Sequence, residues 1–373
     1  MDTDCNDTTT LRGVQIVVEG SPVTDRPTLD TVARAAGVSR MTVSNAYNRP
    51  DQLSAATREK VLAAARELGY PGPDPAGRSL RRGRSGAVGV LLSEGLAFAF
   101  TDPGLVEFLR GVSTELGSAG CAMLMVPGEA DLDGSLVRGA IVDAFILCAM
   151  DEDDPTVGAV TSRQLPVVTA GSPRLPGVPF VGVDNRAAGV QVAQHLLGLG
   201  HRRFGIISRP GRQASYAGGH RGAPRIGLRS RIEGFVHELA KAGVADSDVH
   251  VRVAEENTHA CGIRATAELL AGELRDRPTA IFAATDVLAL GVLEGARQAG
   301  VAVPRQVSVV GFDDIADASR ATPPLTTVAQ SLFEQGVQSA RLVLASIEGR
   351  PVKSPRIAAE LVIRASTAPP HPG

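Results

Sequence analysis

The sequence predicts two unlike parts: a small all-α helix-turn-helix head, followed by a larger α/β region built on two doubly wound parallel sheets. Three observations predict this. The block from Arg26 to Ser85 carries eleven Lys/Arg against five Asp/Glu, whereas the rest of the 373-residue chain has 27 basic and 35 acidic residues. Within that block, short helical patterns are separated by capping residues and a glycine. From Ala87 onward, short β-branched runs alternate with longer amphipathic stretches, the pattern of buried parallel strands joined by crossover helices. A chain of this length exceeds one usual core, and its 43% hydrophobic residues suffice to fill several.

Composition also narrows the function. No apolar run approaches the ~20 residues needed to cross a bilayer. The start, MDTDCNDTTT, is acidic and polar where a secretory signal would be basic and then apolar. A cytoplasmic protein with no membrane association is therefore expected. Cys5, Cys121, Cys148 and Cys261 are scattered without a CxxC pair, so neither a disulfide framework nor a metal site is signalled. There is no P-loop, GxSxG or HExxH, and no clear GxGxxG follows the first strand. No enzyme and no cofactor are expected, and His195 and His201 read as structural.

In the head, TLDTVARAAGVSRMTVSNAYN reads as two short helices around a tight turn. Thr28 is expected to cap the first, which buries Val32, Ala33 and Ala36, and Gly37 supplies the permissive backbone of the turn. Ser39 caps the second helix, where Val43 and Ala46 share the buried side with Val38. That leaves Arg40, Met41, Ser44, Asn45 and Asn48 on the outer arc. A third helix, LSAATREKVLAAARELGY, is capped by Ser54 and turns Val61, Leu62, Ala65 and Leu68 inward. Side chains on the first turn of such a helix and one turn later reach base edges in a major groove, while neighbouring hydroxyls and amides bond phosphates. The basic balance suits a polyanion partner. A helical bundle with a polar surface, or a protein-binding helix-turn-helix, is the plainer alternative.

The run from Thr28 to Tyr70, with PDPAGRSLRRGRS after it, resembles the head and hinge of the lactose-repressor (LacI/GalR) family of bacterial transcription factors. The resemblance implies that Arg40, Met41 and Asn45 read bases. It also implies that Thr28, Ser39, Thr42, Ser44, Asn48, Ser54 and Thr57 touch phosphates. Many relatives have Arg at the place of Asn45. Asn pairs bidentately with adenine where Arg prefers guanine, so the operator is expected to differ at that base pair. Ala76 and Leu80 fall in the hinge segment, with Leu80 matching the leucine that wedges into the minor groove. Pro71-Gly72-Pro73 adds a residue before the hinge. Gly77 replaces the usual Ala at a cost of about 1 kcal/mol of helix propensity.

In the larger region, AVGVLL, CAMLMVP, AFILCA, PVVTAG, FVGVDN, RFGIIS, AIFAAT and VSVVGFDD read as buried strands. GLVEFLRGVSTELGSAG and DVLALGVLEGARQAGV are among the helices between them. This region is similar to the family's effector domain, which looks like a periplasmic sugar-binding protein with two lobes and three crossovers, here near Val183, Val328 and Gly349. Ligands of such sheets bind beyond the carboxyl ends of strands. By the resemblance, Arg231 and Asp313 match the cleft arginine and aspartate that hold sugar hydroxyls, and Thr285 stands where sugar-binding members often have Asn. Asp286, Phe98, Phe100, Asp102 and Asp151 are further effector candidates by position. Asp184 and Asn185 read at least as well as helix-capping residues at the lobe crossover as they do as ligand contacts.

The expected organisation is a disordered tail (1–25), a DNA-binding head (26–72), a hinge (73–85), an effector and dimerisation domain (86–367) and a short tail (368–373). The run RPGRQASYAGGHRGAPRIGLRSR is expected to be flexible surface. A flap placing Arg212, Tyr216, His220 or Arg225 on an anionic effector is the alternative. The resemblance implies a homodimer on a pseudo-palindromic double-stranded DNA operator. The C-terminal ELVIRASTAPPHPG carries no heptad helix, so a coiled-coil tetramer is not expected. The implied function is a repressor of a carbohydrate operon relieved by a small-molecule sugar, with a purine- or nucleoside-responsive corepressor system as the alternative. A free-standing transport receptor conflicts with the DNA-reading head.

Overall fold

The computed structural model describes residues 27–73, 83–128, 133–152, 154–209 and 226–371. They divide into two compact units, Met1–Gly83 and Arg84–Gly373. The expected tail before residue 26, the hinge positions Ala76, Gly77 and Leu80, and the run containing Arg212, Tyr216, His220 and Arg225 lie outside the described residues.

Among its described residues the first unit has three α-helices, α1 (Leu29–Ala36), α2 (Arg40–Asn48) and α3 (Ala55–Glu67). Each starts where its capping hydroxyl places it. The side-chain oxygens of Thr28, Ser39 and Ser54 accept from the backbone N–H groups of Thr31, Thr42 and Thr57, three donors that no helical carbonyl can reach. Thr31 Oγ1 in turn accepts from Thr28 N at 2.7 Å, completing a reciprocal box. Gly37 stops α1 at φ 59°, a left-handed conformation that favours glycine. Val32, Ala33, Ala36, Val43, Ala46, Val61, Ala64 and Ala65 form the core, closed by Tyr47 and Tyr70, whose rings meet edge to face at 6.0 Å. Three expectations fail here. Leu62 is only half-buried and outside this core, and Leu68 lies at the end of α3, 40% exposed, while Ala64 is inside. Ser44 is buried, accepting from Asn48 Nδ2 through both its carbonyl and its hydroxyl.

The second unit contains a five-stranded sheet ordered β2-β1-β3-β4-β5 and a four-stranded sheet ordered β7-β6-β8-β9. Their strands are β1 (Ala87–Leu92), β2 (Ala122–Pro127), β3 (Ala144–Cys148), β4 (Val167–Ala170), β5 (Phe180–Val181), β6 (Phe204–Ser208), β7 (Val249–Val253), β8 (Ala280–Ala283) and β9 (Ser308–Val310). Every pairing in both sheets is parallel. The antiparallel pair β10 (Thr327–Ala329) and β11 (Glu360–Val362) was not expected, nor was β7. Three-residue strands leave no periodic signal, and β7 is an edge strand with an irregular, half-exposed face. CAMLMVP is also an edge strand, partly exposed on both faces, and not the buried strand expected of it.

Among the described residues of this unit the α-helices, in chain order, are α4 (Leu96–Ala99), α5 (Pro103–Ser118), α6 (Ser135–Gly139), α7 (Pro155–Ser162), α8 (Asn185–Gly198), α9 (Ile226–Lys241), α10 (His259–Leu269), α11 (Asp286–Gln298), α12 (Ala316–Arg320) and α13 (Leu332–Ile347). The chain builds lobe 1 through β5 and then lobe 2 from α8 through β10. It returns with α13, whose Ala340, Leu342 and Val343 pack with Val88, Val112 and Val168 of lobe 1. It then re-enters lobe 2, where Leu361 of β11 packs with Val328 and Phe312. The lobes are thus joined near Val183, Gln330 and residues 349–359. α13 is fastened to α5 by two glycines: a Cβ on Gly111 would lie 2.1 Å from Phe333 O, and one on Gly336 2.1 Å from Phe108 O.

Candidate functional site

In the first unit, α2 presents Arg40 and Met41 outward from its first turn, Met41 being 65% exposed, with Asn45 half-buried one turn later. The Arg40 guanidinium is 3.6 Å from the exposed carboxylate of Asp30 and remains solvated, so this pair holds it weakly. The hydroxyls of Ser39 and Thr42 bond each other at 2.9 Å, as do those of Ser54 and Thr57 at 2.8 Å. Thr28, Ser39, Thr42, Ser54 and Thr57 therefore serve first as helix-end groups. Ser44 departs from the expected outer face because Asn48 folds back over it.

In the second unit a cavity opens between the lobes at the carboxyl ends of β1, β3, β4, β6, β8 and β9, with about 980 Å³ of free space including its mouth. Of the expected residues, Phe98, Asp102, Arg231, Thr285 and Asp313 line it. Phe100, Asp151 and Asp286 are not among its lining residues. Phe100 ends the short α4 and points to solvent, 70% exposed. Asp286 is fully buried beneath the site, where its carboxylate accepts from Thr327 Oγ1 and Ile315 N.

Arg231 is the centre of the lobe 2 wall. Its Nε and Nη2 both donate to Asn185 Oδ1, at 3.1 and 2.9 Å, and Nη1 donates to Ala284 O at 2.5 Å. Asp313 Oδ1 lies 3.9 Å from Nη1, and the guanidinium lies over the Phe312 ring. Burial lowers the Arg231 pKa to about 10, partly offset by Asp313 and Asp286. Burial likewise raises the Asp313 carboxyl to about 8, against the opposing pull of Arg231. Asp313 is held at φ 122°, unusual for a residue with a side chain, by a bond from its N–H to Val328 O and by Gln330 Nε2 donating to its carboxylate.

Two polar links cross from lobe to lobe. Asn257 Nδ2 donates to Asp102 Oδ2 at 2.7 Å, while Asn257 Oδ1 accepts from Thr285 Oγ1 at 2.6 Å. Arg209 Nη2 pairs with Glu94 Oε1 at 3.1 Å. Asp102 and Thr285 also cap α5 and α11, so helix starts position both hydroxyl- and carboxyl-bearing residues at the cavity. Asn185, legible at the FVGVDN strand end, lines the cavity; Asn257, Arg209, Glu94 and Gln330, which sequence reading does not reach, lie in loops without a pattern. His201 is buried away from the cavity, bonded to Thr279, Ser308 and Ala368 O, and His195 meets Thr367. Both are structural. Among the described residues, no cluster of His, Cys, Asp and Glu could hold a metal ion, and no helix is long and apolar enough to cross a membrane.

Comparison with known proteins matches both units. Residues 28–72 fit the family model of bacterial regulatory proteins, lacI family, and residues 193–367 that of a periplasmic binding protein-like domain. The HTH-type transcriptional regulator Rv3575c of Mycobacterium tuberculosis is 41% identical over 331 residues, which is 86% of this chain and 90% of that protein. A solved complex of the transcriptional regulator CelR with cellobiose superposes with a TM-score of 0.63 at 32% identity, over 91% of this chain and 100% of that one. A LacI family regulator from Enterococcus faecium with bound ribose does so with a TM-score of 0.64 at 26% identity, over 76% of this chain and 99% of the other. With a capped recognition helix in one unit and an inter-lobe cavity in the other, the chain belongs to the LacI family of DNA-binding bacterial transcriptional regulators.

Proposed function

We propose that this regulator is a cytoplasmic repressor that binds a pseudo-palindromic operator as a homodimer and changes its affinity when an uncharged sugar occupies the inter-lobe cavity. The observation that carries the effector reading is the state of the cavity's cations. Among the described residues lining it, Arg231 is spent on Asn185, Ala284 O and Asp313, and Arg209 on Glu94. Other polar groups lining it are amides and carboxyls, Asn257, Gln330, Asp102 and Asp313, which bond one another or Thr285 here and can exchange those bonds for hydroxyls that both donate and accept. Phe98 and Phe108 supply apolar surface for a sugar face. The cellobiose and ribose complexes of relatives agree in ligand class. On the head, Arg40, Met41 and Asn45 read bases; Thr28, Ser39, Thr42, Asn48, Ser54 and Thr57 contact phosphates, while Ser44 supports Asn48 from below.

The test has two arms. Purified protein is used to enrich a duplex from a random pool, and its melting temperature is followed against mono- and disaccharides, nucleosides and hexose phosphates. A two-fold-related duplex and a shift with a neutral sugar that weakens DNA binding support the reading. A shift with nucleosides alone establishes the purine-type alternative, and one with hexose phosphates alone overturns the accounting of the two arginines.

A further inference from the structure

Where the chain enters its second unit it is fastened at two points. Asp143 accepts Ser85 N at 2.6 Å and Ser85 Oγ at 2.9 Å on Oδ1, and Gly86 N at 2.8 Å on Oδ2. One residue earlier, Arg84 Nη2 donates to Ile347 O at 2.8 Å. That carbonyl ends α13 and has no N–H of its own helix to accept from; a guanidinium there also complements the negative end of the helix dipole.

Both fastening points belong to elements whose other ends reach the cavity. Asp143 precedes β3, which ends at Cys148 on the cavity wall. α13 begins at Leu332, and both Leu332 and Gln335 line the cavity. At 1.5 Å per residue, α13 spans roughly 24 Å between these ends. Its first turn is tied to lobe 2: Gln335 Nε2 donates to Gln330 O at 2.6 Å, and Gln330 Nε2 donates to Asp313. Its middle is locked to α5 by Gly111 and Gly336. Two of the three connections between lobes flank this helix. Any rotation of lobe 2 therefore acts on α13 at both ends, and residues 84–86 hang from the end remote from the ligand.

We propose that Asp143 and the Ile347 carbonyl form the joint through which lobe closure is passed to the segment leading to the DNA-reading head. Arg84 and Asp143 are then positioning residues, touching neither effector nor DNA. This rests on the reading of the chain as an effector-responsive regulator. The two lobes supply the two-state element that such coupling requires, and α13 is the rigid part that both sites share.

Hydrogen exchange on the full chain tests this without knowledge of the effector. Asp143→Ala should raise exchange at the Ser85 and Gly86 amides about tenfold, since it removes their acceptor. The deciding variant is Gln335→Ala, at the opposite end of α13. It should raise exchange at Ser85 and Gly86 about threefold, and the increment should vanish when Arg84→Met is also present. Gln330→Ala, which breaks the same tie from the lobe 2 side, should act as Gln335→Ala does and serves if that variant does not fold. Unchanged exchange at 85–86 in the folded variant, or an increment that survives Arg84→Met, overturns the joint. Failure of the wild-type chain to enrich any duplex would refute the regulatory reading, while the exchange results still decide whether the joint exists.

Discussion

Arg231 lies over Phe312, its guanidinium carbon 3.4 Å from the ring centroid, with its nitrogens directed to Asn185, Ala284 O and Asp313. A buried cation is costly unless every donor is used, and here the aromatic face and three acceptors offset that cost. Arg231→Ala leaves the Asp313 carboxyl and Asn185 amide without this partner. A loss of about 3 kcal/mol is expected in denaturant unfolding, together with loss of the effector response. Arg231→Lys should restore little, because an ammonium neither stacks nor forks.

The recognition helix gives a second expectation. Arg40→Ala and Asn45→Ala should each cost about 1–3 kcal/mol in operator binding and relax preference at one base pair per half-site, read by binding to a panel of single-base variants. Ser44→Ala removes an acceptor that Asn48 uses, so its effect should be a smaller loss spread evenly over all sequences.

Cleft closure provides a third. Asn257→Ala deletes the bridge between Asp102 and Thr285. Effector affinity measured by calorimetry should fall by about tenfold, the equivalent of ~1.4 kcal/mol, with DNA affinity of the ligand-free protein little changed.

Packing provides a fourth. A methyl on Gly111 would enter the space of the Phe333 carbonyl, which is backbone and cannot turn away. Gly111→Ala should destabilise the second unit by about 2–3 kcal/mol in thermal unfolding, and Gly336→Ala similarly, by forcing α5 and α13 apart.

His201 sets an acid limit. Burial lowers its pKa to about 4, opposed by the bond to Ala368 O. The imidazole is neutral when folded and takes up a proton more readily when unfolded. Stability is therefore full above about pH 6.5 and falls as pH drops toward 4, by roughly 2 kcal/mol after discounting for solvent screening. Urea unfolding between pH 4 and 7 should show a shallower slope for His201→Gln.

Much of this protein was determined by local chemistry that a sequence carries openly. Thr28, Ser39 and Ser54 begin the three head helices because a capping hydroxyl acts within three residues. Gly37 makes the turn because only its own backbone is involved. The strands AVGVLL, AFILCA and RFGIIS declare themselves because burial on both faces demands unbroken apolar runs. The tertiary structure decided what depends on residues distant along the chain. It turned Phe100 to solvent, sank Asp286 beneath the cavity and brought Asn257 to Asp102 and Arg209 to Glu94 across the lobes. It also returned α13 to lobe 1, so that Gln335 stands at the cavity and Ile347 meets Arg84. Such partners lie from 115 to 263 positions apart, and no period or spacing encodes them. They are set by which strand ends converge once two sheets have packed, a property of the assembled chain and of no segment within it.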